Sequence, residues 1–336
     1  MKLLVAVSIL TMLATPRWTT QTSGVTARLR GVSAVNEQVA WASGSGSTVL
    51  RTTDGGATWE KLKVTDETLD FRDVDAIDAE TAYILSIGNG QASRIYKTTD
   101  SGKTWKLQFR NDDEKAFLDA MSFWDANHGI AFGDSVDKQF YILTTADGGN
   151  TWSRVPSQNL PPAKENEGAF AASGTNIALF GKSHAWIGTG AAAKSRVLRT
   201  SDGGRTWQVA DTPLASAQSS GIFSIAFRDA KHGIVVGGDY TKEQAAVANL
   251  AVTSDGGATW TLVKGLSGFR SVAAYVPGQK TLVAIGPSGS DYSQDDGRTW
   301  TTIQGPGFDT FSFARGKQIG WGAGAKGTIG KLTLTN

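Results

Sequence analysis

The sequence contains no cysteine, and among its 336 residues only three are histidine, three are methionine and eight are proline. Without cysteine the chain forms no disulfide, has no thiolate metal ligand and offers no thiol nucleophile or lipid attachment point. Its formal net charge is only +2, with no long run of like charge. Such a weak overall field gives no reason to expect a nucleic-acid partner.

Long hydrophobic runs are also scarce. The run Leu3–Ala14 follows a basic Met1-Lys2 start, and it is too short to cross a bilayer. A basic start, a short apolar run and then Thr15-Pro16 predict a signal peptide over residues 1–16, and hence a secreted or periplasmic protein without a membrane span. A buried N-terminal strand is the alternative, because Met12 stands where a cleavage site prefers a small residue.

The sequence is instead rich in one repeated motif, Ser/Thr-x-Asp-x-Gly-x-Thr-Trp. Successive copies are 40 to 55 residues apart, a spacing typical of solenoids, propellers and repeat arrays. The six copies are Thr52–Trp59, Thr98–Trp105, Thr145–Trp152, Thr200–Trp207, Thr253–Trp260 and Ser293–Trp300.

Each copy of the motif predicts a strand, a tight turn and a second strand. Residues on both sides alternate between apolar and polar, as strands do. The Asp side chain accepts hydrogen bonds from turn N–H groups, and Gly adopts positive φ without strain. We therefore expect the six aspartates to be structural, not catalytic or metal-binding. They are Asp54, Asp100, Asp147, Asp202, Asp255 and Asp295.

Each repeat divides into four strands, which we name a to d from the centre outward, and we expect the fourth repeat to start at Ala169. Four short antiparallel strands per repeat predict an all-β propeller. The last repeat has strands a to c but no motif and no strand d, whereas Trp18 lies 41 residues before Trp59, within the repeat spacing. We therefore predict a single monomeric seven-bladed propeller over residues 17–336, in which the N-terminal strand completes the last blade and removes open edges.

Two sets of aromatic residues recur at fixed repeat positions. The three histidines, His128, His184 and His232, all fall in the turn between strands a and b of different blades. Equivalent positions are spread around a ring, so we expect neither a shared metal site nor any cofactor. Strand b carries a recurring large residue that we expect in the core. Its members are Trp41, Tyr83, Trp186 and Trp321.

Candidate binding residues cluster at the predicted channel mouth, on the face opposite the motif turns. Arg30, Arg72 and Arg270 share one position at the start of strand a, where the last blade has Asp309. Because strand a lines the channel, we expect these side chains to converge. They form either an internal lattice of ion pairs or a site for an acidic ligand or protein segment. Nearby loops supply Asp134, Glu167, Asp239 and Tyr240.

The repeated motif is the Asp box, or BNR repeat, and the chain resembles the photosystem II stability and assembly-factor family. The resemblance rests on the six boxes and on starts of strand a such as Phe71-Arg72-Asp73-Val74. It implies a rigid, exported, non-enzymatic propeller that holds a protein partner during assembly. Asp boxes also occur in sialidases and sortilin-like receptors. The alternative is therefore a glycosidase or lyase acting on an acidic saccharide, although the Arg-Ile-Pro start of sialidases is missing.

Overall fold

The computed structural model describes residues 16–334, and the predicted signal peptide lies outside them except for Pro16. That proline begins the first strand, β1 (Pro16–Gln21). The chain then forms six complete blades and three strands of a seventh. Blades one to three contain β2 (Leu29–Ala34), β3 (Ala40–Gly44), β4 (Thr48–Thr52), β5 (Glu60–Leu62), β6 (Asp70–Ala76), β7 (Ala82–Ile87), β8 (Arg94–Thr98), β9 (Lys106–Arg110), β10 (Leu118–Phe123), β11 (Gly129–Val136), β12 (Gln139–Thr145) and β13 (Ser153–Arg154).

Blades four to seven continue the same pattern. They contain β14 (Ile177–Phe180), β15 (His184–Gly188), β16 (Arg196–Thr200), β17 (Gln208–Asp211), β18 (Ser220–Phe227), β19 (Gly233–Asp239), β20 (Leu250–Thr253), β21 (Thr261–Leu262), β22 (Val272–Tyr275), β23 (Leu282–Gly286), β24 (Gly289–Ser293), β25 (Thr301–Ile303), β26 (Thr310–Phe313), β27 (Ile319–Ala323) and β28 (Ile329–Leu334). Among residues 16–334 no helix is long and apolar enough to cross a membrane.

The seven-bladed all-β fold and its closure are confirmed. Seven four-stranded antiparallel sheets form, and the last has the order β1-β28-β27-β26. Strand β1 pairs along its whole length with β28, from Pro16 opposite Leu334 to Gln21 opposite Ile329. The strand from the beginning of the described chain thus supplies strand d of blade seven, and the ring has no open sheet edge between its ends.

One predicted boundary is wrong. The sequence places the start of blade four at Ala169, whereas its inner strand β14 begins at Ile177. The intervening residues do not pair as a strand, because they leave the blade and cross the central channel. This crossing segment, Ala169–Gly174, shapes the candidate site described below.

The core lies between neighbouring blades, and the recurring aromatic position of strand b is buried in it, as predicted. All four of these side chains are essentially inaccessible. Tyr83 of blade two donates a 2.8 Å hydrogen bond from its hydroxyl to the Gly148 carbonyl in the Asp box of blade three. Trp186 donates in the same way to the Gly256 carbonyl of the next blade's box, at 2.9 Å. The recurring ring therefore joins each of these blades to the turn of its neighbour.

Each Asp box is held by the same set of hydrogen bonds. In the first box, Asp54 Oδ1 accepts from the Thr52 hydroxyl at 2.8 Å and from the Thr58 amide at 2.9 Å. Its Oδ2 accepts from the Thr58 hydroxyl at 2.6 Å. Gly56 follows with a φ of +87°, a conformation that favours glycine. The other five boxes repeat these carboxylate contacts, so each carboxylate is engaged within its own turn.

Replacing Asp100 with alanine is expected to lower the melting temperature by about 2 °C, on the scale of lost hydrogen bonds in a protein of this size. Hydrogen bonds from the Thr104 hydroxyl and amide lower the pKa of Asp100 to about 2. Because its pKa is depressed, the carboxylate stabilises the fold above about pH 4 and loses this contribution as the pH falls towards 2.

Thermal melts across this pH range check the prediction. Asp112→Ala is the control, because Asp112 is exposed and lies outside the boxes. Equal melting of Asp100→Ala and wild type at neutral pH would contradict a structural role.

Candidate functional site

A cavity of about 540 Å³ lies at the channel mouth on the face opposite the Asp boxes. Its wall is built from the starts of the inner strands and from the connections that follow strands b. Both sets of chain segments reach the same face, because strands a and b run antiparallel. Five of the eight predicted binding residues line it, namely Arg30, Arg72, Asp134, Tyr240 and Asp309.

Four cavity residues share a backbone irregularity at the start of strand a. The pairing of strands a and b shifts by one residue in blades one, two, three and five. Each shift leaves one residue out of the ladder, and a bulge of this kind redirects a side chain. The four residues are Arg30, Arg72, Asp119 and Phe223, and all of them line the cavity.

The segment Ala169–Gly174 closes the channel beneath the cavity. Arg72 donates to the Ala171 carbonyl at 3.0 Å, and Arg30 donates to the Ala172 carbonyl at 3.4 Å. On the far side, Thr310 donates to the Ser173 carbonyl at 3.0 Å. Blades one, two and seven therefore all hold this segment, which we call the plug.

Glycine is required where the plug turns back towards blade four. Gly174 has a φ of +74°, and a Cβ there would stand 2.1 Å from Asp73 Oδ1. A larger residue would therefore be strained and would also collide with a buried carboxylate.

The arginines of the cavity have different partners. Arg28 forms a two-bond pair with Asp309, with both N–O distances 2.8 Å. Arg72 pairs with Asp70 at 2.7 Å while it donates to the plug. Arg30 has no carboxylate partner among residues 16–334, and its Nε is buried without a hydrogen bond. Arg30 is therefore a largely buried cation at the cavity that the described part of the protein satisfies only in part.

The electrostatics of Arg30 follow from this environment. Burial lowers the pKa of Arg30 to about 10, the negative charge of Asp309 raises it, and the positive charges of Arg28 and Arg72 lower it further. Asp309 is itself held by Arg28, so it neutralises Arg30 only in part. An anion entering the cavity would relieve this imbalance.

Arg270 does not reach the cavity, which corrects the prediction that three arginines of one register converge there. Its guanidinium is fully buried inside blade six and pairs with Asp291 at 2.7 Å. It also donates to the Phe269 carbonyl at 2.7 Å and to the Ser288 hydroxyl at 3.1 Å. Phe269 therefore lines the cavity in its place and Arg270 is buried, because Arg270 forms an ion pair with the buried carboxylate of Asp291 in strand c.

Two predicted loop carboxylates also lie away from the cavity. Glu167 is buried against Arg196, with Oε1 accepting from Nε at 2.8 Å, and it also accepts from the Thr189 hydroxyl at 2.7 Å. Asp239 accepts from the amide of Thr241 at 3.0 Å and from its hydroxyl at 2.7 Å. Both carboxylates are therefore engaged in fixing their own loops.

The three histidines are distributed over three blades, each in its own surroundings. His128 contacts Asp125 at 3.0 Å, and His232 contacts Asp229 at 2.9 Å. His184 stacks on Trp186 with the ring centroids 5.9 Å apart. Equivalent positions in the repeat are thus separate positions on the ring.

An aromatic cluster forms the other half of the cavity wall. The rings of Phe170 and Phe223 stack with centroids 4.0 Å apart, and Phe269 packs edge-on against Phe223 at 4.7 Å. Tyr240, half of whose surface is exposed, lies 6.2 Å from Phe170 and extends the cluster to the rim. The cavity therefore has a charged side and an aromatic side.

Sequence reasoning missed part of this wall. Asp119 and Phe223 were detectable, since Leu118-Asp119-Ala120 and Ile222-Phe223-Ser224 align with Leu29-Arg30-Gly31. Arg28, Phe170 and Glu243 lie in connections without a repeat signature, and only the fold brings them to the cavity. Glu243 in particular belongs to the long connection that follows strand b of blade five.

These features define the class of protein: a seven-bladed Asp-box β-propeller whose channel is closed by a plug beneath a mixed charged and aromatic cavity. The family model described as photosynthesis system II assembly factor YCF48 matches residues 10–111, which confirms the resemblance to the photosystem II assembly-factor family. No curated protein matches the chain at a significant level.

Solved structures share the fold. One described as YCF48 bound to D1 peptide has 18% identity and a TM-score of 0.67, covering 95% of this chain and 97% of that chain. YCF48 from Cyanidioschyzon merolae has 18% identity and a TM-score of 0.68, covering 95% and 99%. A GH74 xyloglucanase from Xanthomonas campestris has 12% identity and a TM-score of 0.56; the match covers 90% of this chain and 57% of that one. At such identities the likeness establishes the fold.

Proposed function

We propose that this chain is a non-enzymatic binding propeller of the assembly-factor type, whose cavity holds an acidic segment of a partner protein. The observation that carries the proposal is the convergence of Arg30 and Arg72 on one cavity, where Arg30 is incompletely paired. The acceptor of Arg30 is a plug carbonyl, which carries no formal charge, and Arg72 donates both to a plug carbonyl and to Asp70. A carboxylate from a partner would supply the missing counter-charge in a planar geometry that guanidinium groups favour.

The aromatic side of the cavity supports a peptide as the occupant. Phe170, Phe223 and Tyr240 present rings beside the charged side, so a segment with both an acidic and an apolar residue meets a matching wall for each. Aromatic rings and arginine are the residues that most often dominate protein interfaces. The rim position of the exposed Tyr240 gives such a segment a route into the cavity from outside.

The comparisons support the same class of function. The family match covers residues 10–111, and a structural relative is described as bound to a peptide. The likeness to the xyloglucanase concerns the fold, so we argue binding rather than glycoside hydrolysis.

Export remains a prediction from the N-terminal sequence. The mass of the mature N-terminus would test it, and retention of residues 1–16 would contradict it.

Replacing Arg30 or Arg72 with alanine is expected to weaken acidic-peptide binding by about tenfold, because a desolvated charge contact is lost. The probe is a fluorescent peptide library rich in Asp and Glu, compared with a matched library in which Asn and Gln replace them. Fluorescence anisotropy gives the affinities at low and high salt, and we expect binding to weaken as salt rises.

Arg110→Ala is the matched control, because Arg110 is exposed on the outermost strand of blade two. Thermal melts verify that each variant is folded. Equal binding of the acidic and amide libraries by wild type, or unchanged binding by a folded Arg30→Ala/Arg72→Ala double variant, would refute the proposed function.

A further inference from the structure

The cavity contains a pair of carboxyl groups that the proposed acidic ligand leaves unused. Asp119 is the bulge residue of β10, and Asp134 lies on the neighbouring strand β11 of blade three. The Asp134 amide donates to the Phe117 carbonyl at 3.0 Å, which fixes the inner end of this blade. Both side chains line the cavity that Arg30 and Arg72 enter from blades one and two.

Asp119 is buried without compensation. Only 1% of its surface is exposed, and its Oδ2 has no hydrogen-bond partner within residues 16–334. Neither carboxyl of the pair takes part in a salt bridge in that part of the chain. Buried polar atoms are usually satisfied, so an unpartnered carboxyl oxygen on a cavity wall indicates a place for a donor from outside.

The chemistry of the pair favours a cation as that donor. Burial raises the pKa of Asp119 well above its ordinary value, and the nearby Asp134 charge raises it further. Burial also raises the pKa of Asp134 to about 6, while the hydrogen bond from the Ala169 amide opposes this shift. A positive group placed between the two carboxyls would stabilise their ionised forms.

The surroundings indicate an organic cation instead of a metal ion. No group of three or more potential metal-ligating side chains occurs in the described part of the chain, and a hard cation needs more oxygen ligands than this pair supplies. The Ala169 amide donates to Asp134 Oδ1 at 3.2 Å, which places the adjacent Phe170 and its aromatic cluster beside the acids. Aromatic faces attract ammonium and guanidinium groups and also pack against their alkyl stems.

We propose that Asp119 and Asp134 form a second subsite that binds a lysine or arginine side chain of the same partner segment. The cavity then has two poles: Arg30 and Arg72 for an acidic residue, and the carboxyl pair for a basic one. This proposal rests on the proposed function because it names the further chemistry of the segment that occupies the same cavity. It selects segments carrying both charges over segments that are simply acidic.

The test uses matched synthetic peptides on the full chain. One carries Glu and Lys, the second carries Glu and norleucine, and the third carries Gln and Lys at the same positions. Anisotropy titrations are expected to show that wild type prefers the Glu–Lys peptide over the Glu–norleucine peptide by at least about tenfold, as expected for a desolvated charge pair. Asp119→Asn, which keeps the shape but removes the charge, should abolish this preference, so that the two peptides bind with equal affinity.

Further variants keep the proposal falsifiable. Asp134→Asn repeats the test if Asp119→Asn does not fold, and Asp137→Asn is the control, because Asp137 pairs with Lys115 on the exposed turn of the same blade. Equal affinity of wild type for the lysine and norleucine peptides would overturn the subsite, as would a lysine preference that survives in folded Asp119→Asn and Asp134→Asn.

The two proposals fail in different ways. If the Glu–Lys and Gln–Lys peptides bound with equal affinity while lysine was still preferred over norleucine, the acidic pole would be refuted. The carboxyl pair would then stand as a cation site. Hydrolysis of an acidic oligosaccharide by wild type, abolished in Asp119→Asn, would overturn the cation site and assign the pair to acid and base catalysis.

Discussion

Replacing Trp18 with alanine is expected to lower the free energy of unfolding by about 3–5 kcal/mol, the range for truncating a large buried aromatic residue. Trp18 is the anchor of β1 in blade seven. Its ring lies 4.4 Å from that of Phe308 and 5.8 Å from that of Phe311. Gly322 and Gly330 face the ring with bare α-carbons and cannot fill the space that is left when the indole is removed.

The loss of Trp18 should also loosen ring closure, because within residues 16–334 β1 supplies strand d of blade seven. Urea unfolding monitored by circular dichroism measures the change. Arg17→Ala is the matched control on the same strand, since the Arg17 side chain is exposed and its replacement should leave stability nearly unchanged.

Deletion of residues 17–23 should expose the edge of β28 and promote aggregation. An unchanged unfolding curve for either the Trp18 variant or the deletion would contradict the conclusion that β1 stabilises the closed ring.

Replacing Asp291 with alanine is expected to cost about 3–5 kcal/mol, because it leaves the buried Arg270 cation without its counter-charge. The pair is almost completely inaccessible. Ser267 and Thr302 also donate to Asp291, at 3.0 and 3.1 Å, so their hydroxyls lose an acceptor as well. Denaturant unfolding gives the change in stability.

Two further variants separate the missing charge from lost packing. Arg270→Met combined with Asp291→Leu should recover most of the stability, because hydrophobic replacement of a buried ion pair is often neutral. Asp137→Ala, which breaks an exposed pair with Lys115, should cost no more than about 1 kcal/mol. If Asp291→Ala were as stable as the Asp137 variant, the buried pair would not hold Arg270 inside blade six.

The exchange between Arg270 and Phe269 illustrates where repeat alignment stops being informative. Alignment correctly places Arg30 and Arg72 at the cavity, because the bulge at the start of strand a is a local feature that recurs with the repeat. The same alignment misplaces Arg270. An aspartate two strands away, at position 291, offers it a buried partner that the other blades do not provide.

The plug shows the second limit of sequence reasoning. Ala169–Gly174 is composed largely of small residues with no motif, and the alternation around Ala169 suggests an inner strand. Its true course depends on acceptors and donors supplied by Arg30, Arg72 and Thr310, which are distant in sequence. The floor of the cavity is therefore a product of contacts across the channel axis.

The sequence by itself determined the seven blades, the Asp-box turns, the buried ring of strand b and the closure through Trp18. Each of these follows from a local pattern: alternation, turn chemistry or a fixed spacing that repeats along the chain. The tertiary structure alone decided which carboxylates face the cavity, that Arg270 is buried and that the channel is closed. These outcomes depend on which charged and polar groups from different blades contact each other near the axis. Such contacts do not follow the repeat period, so no periodic pattern in the sequence indicates them.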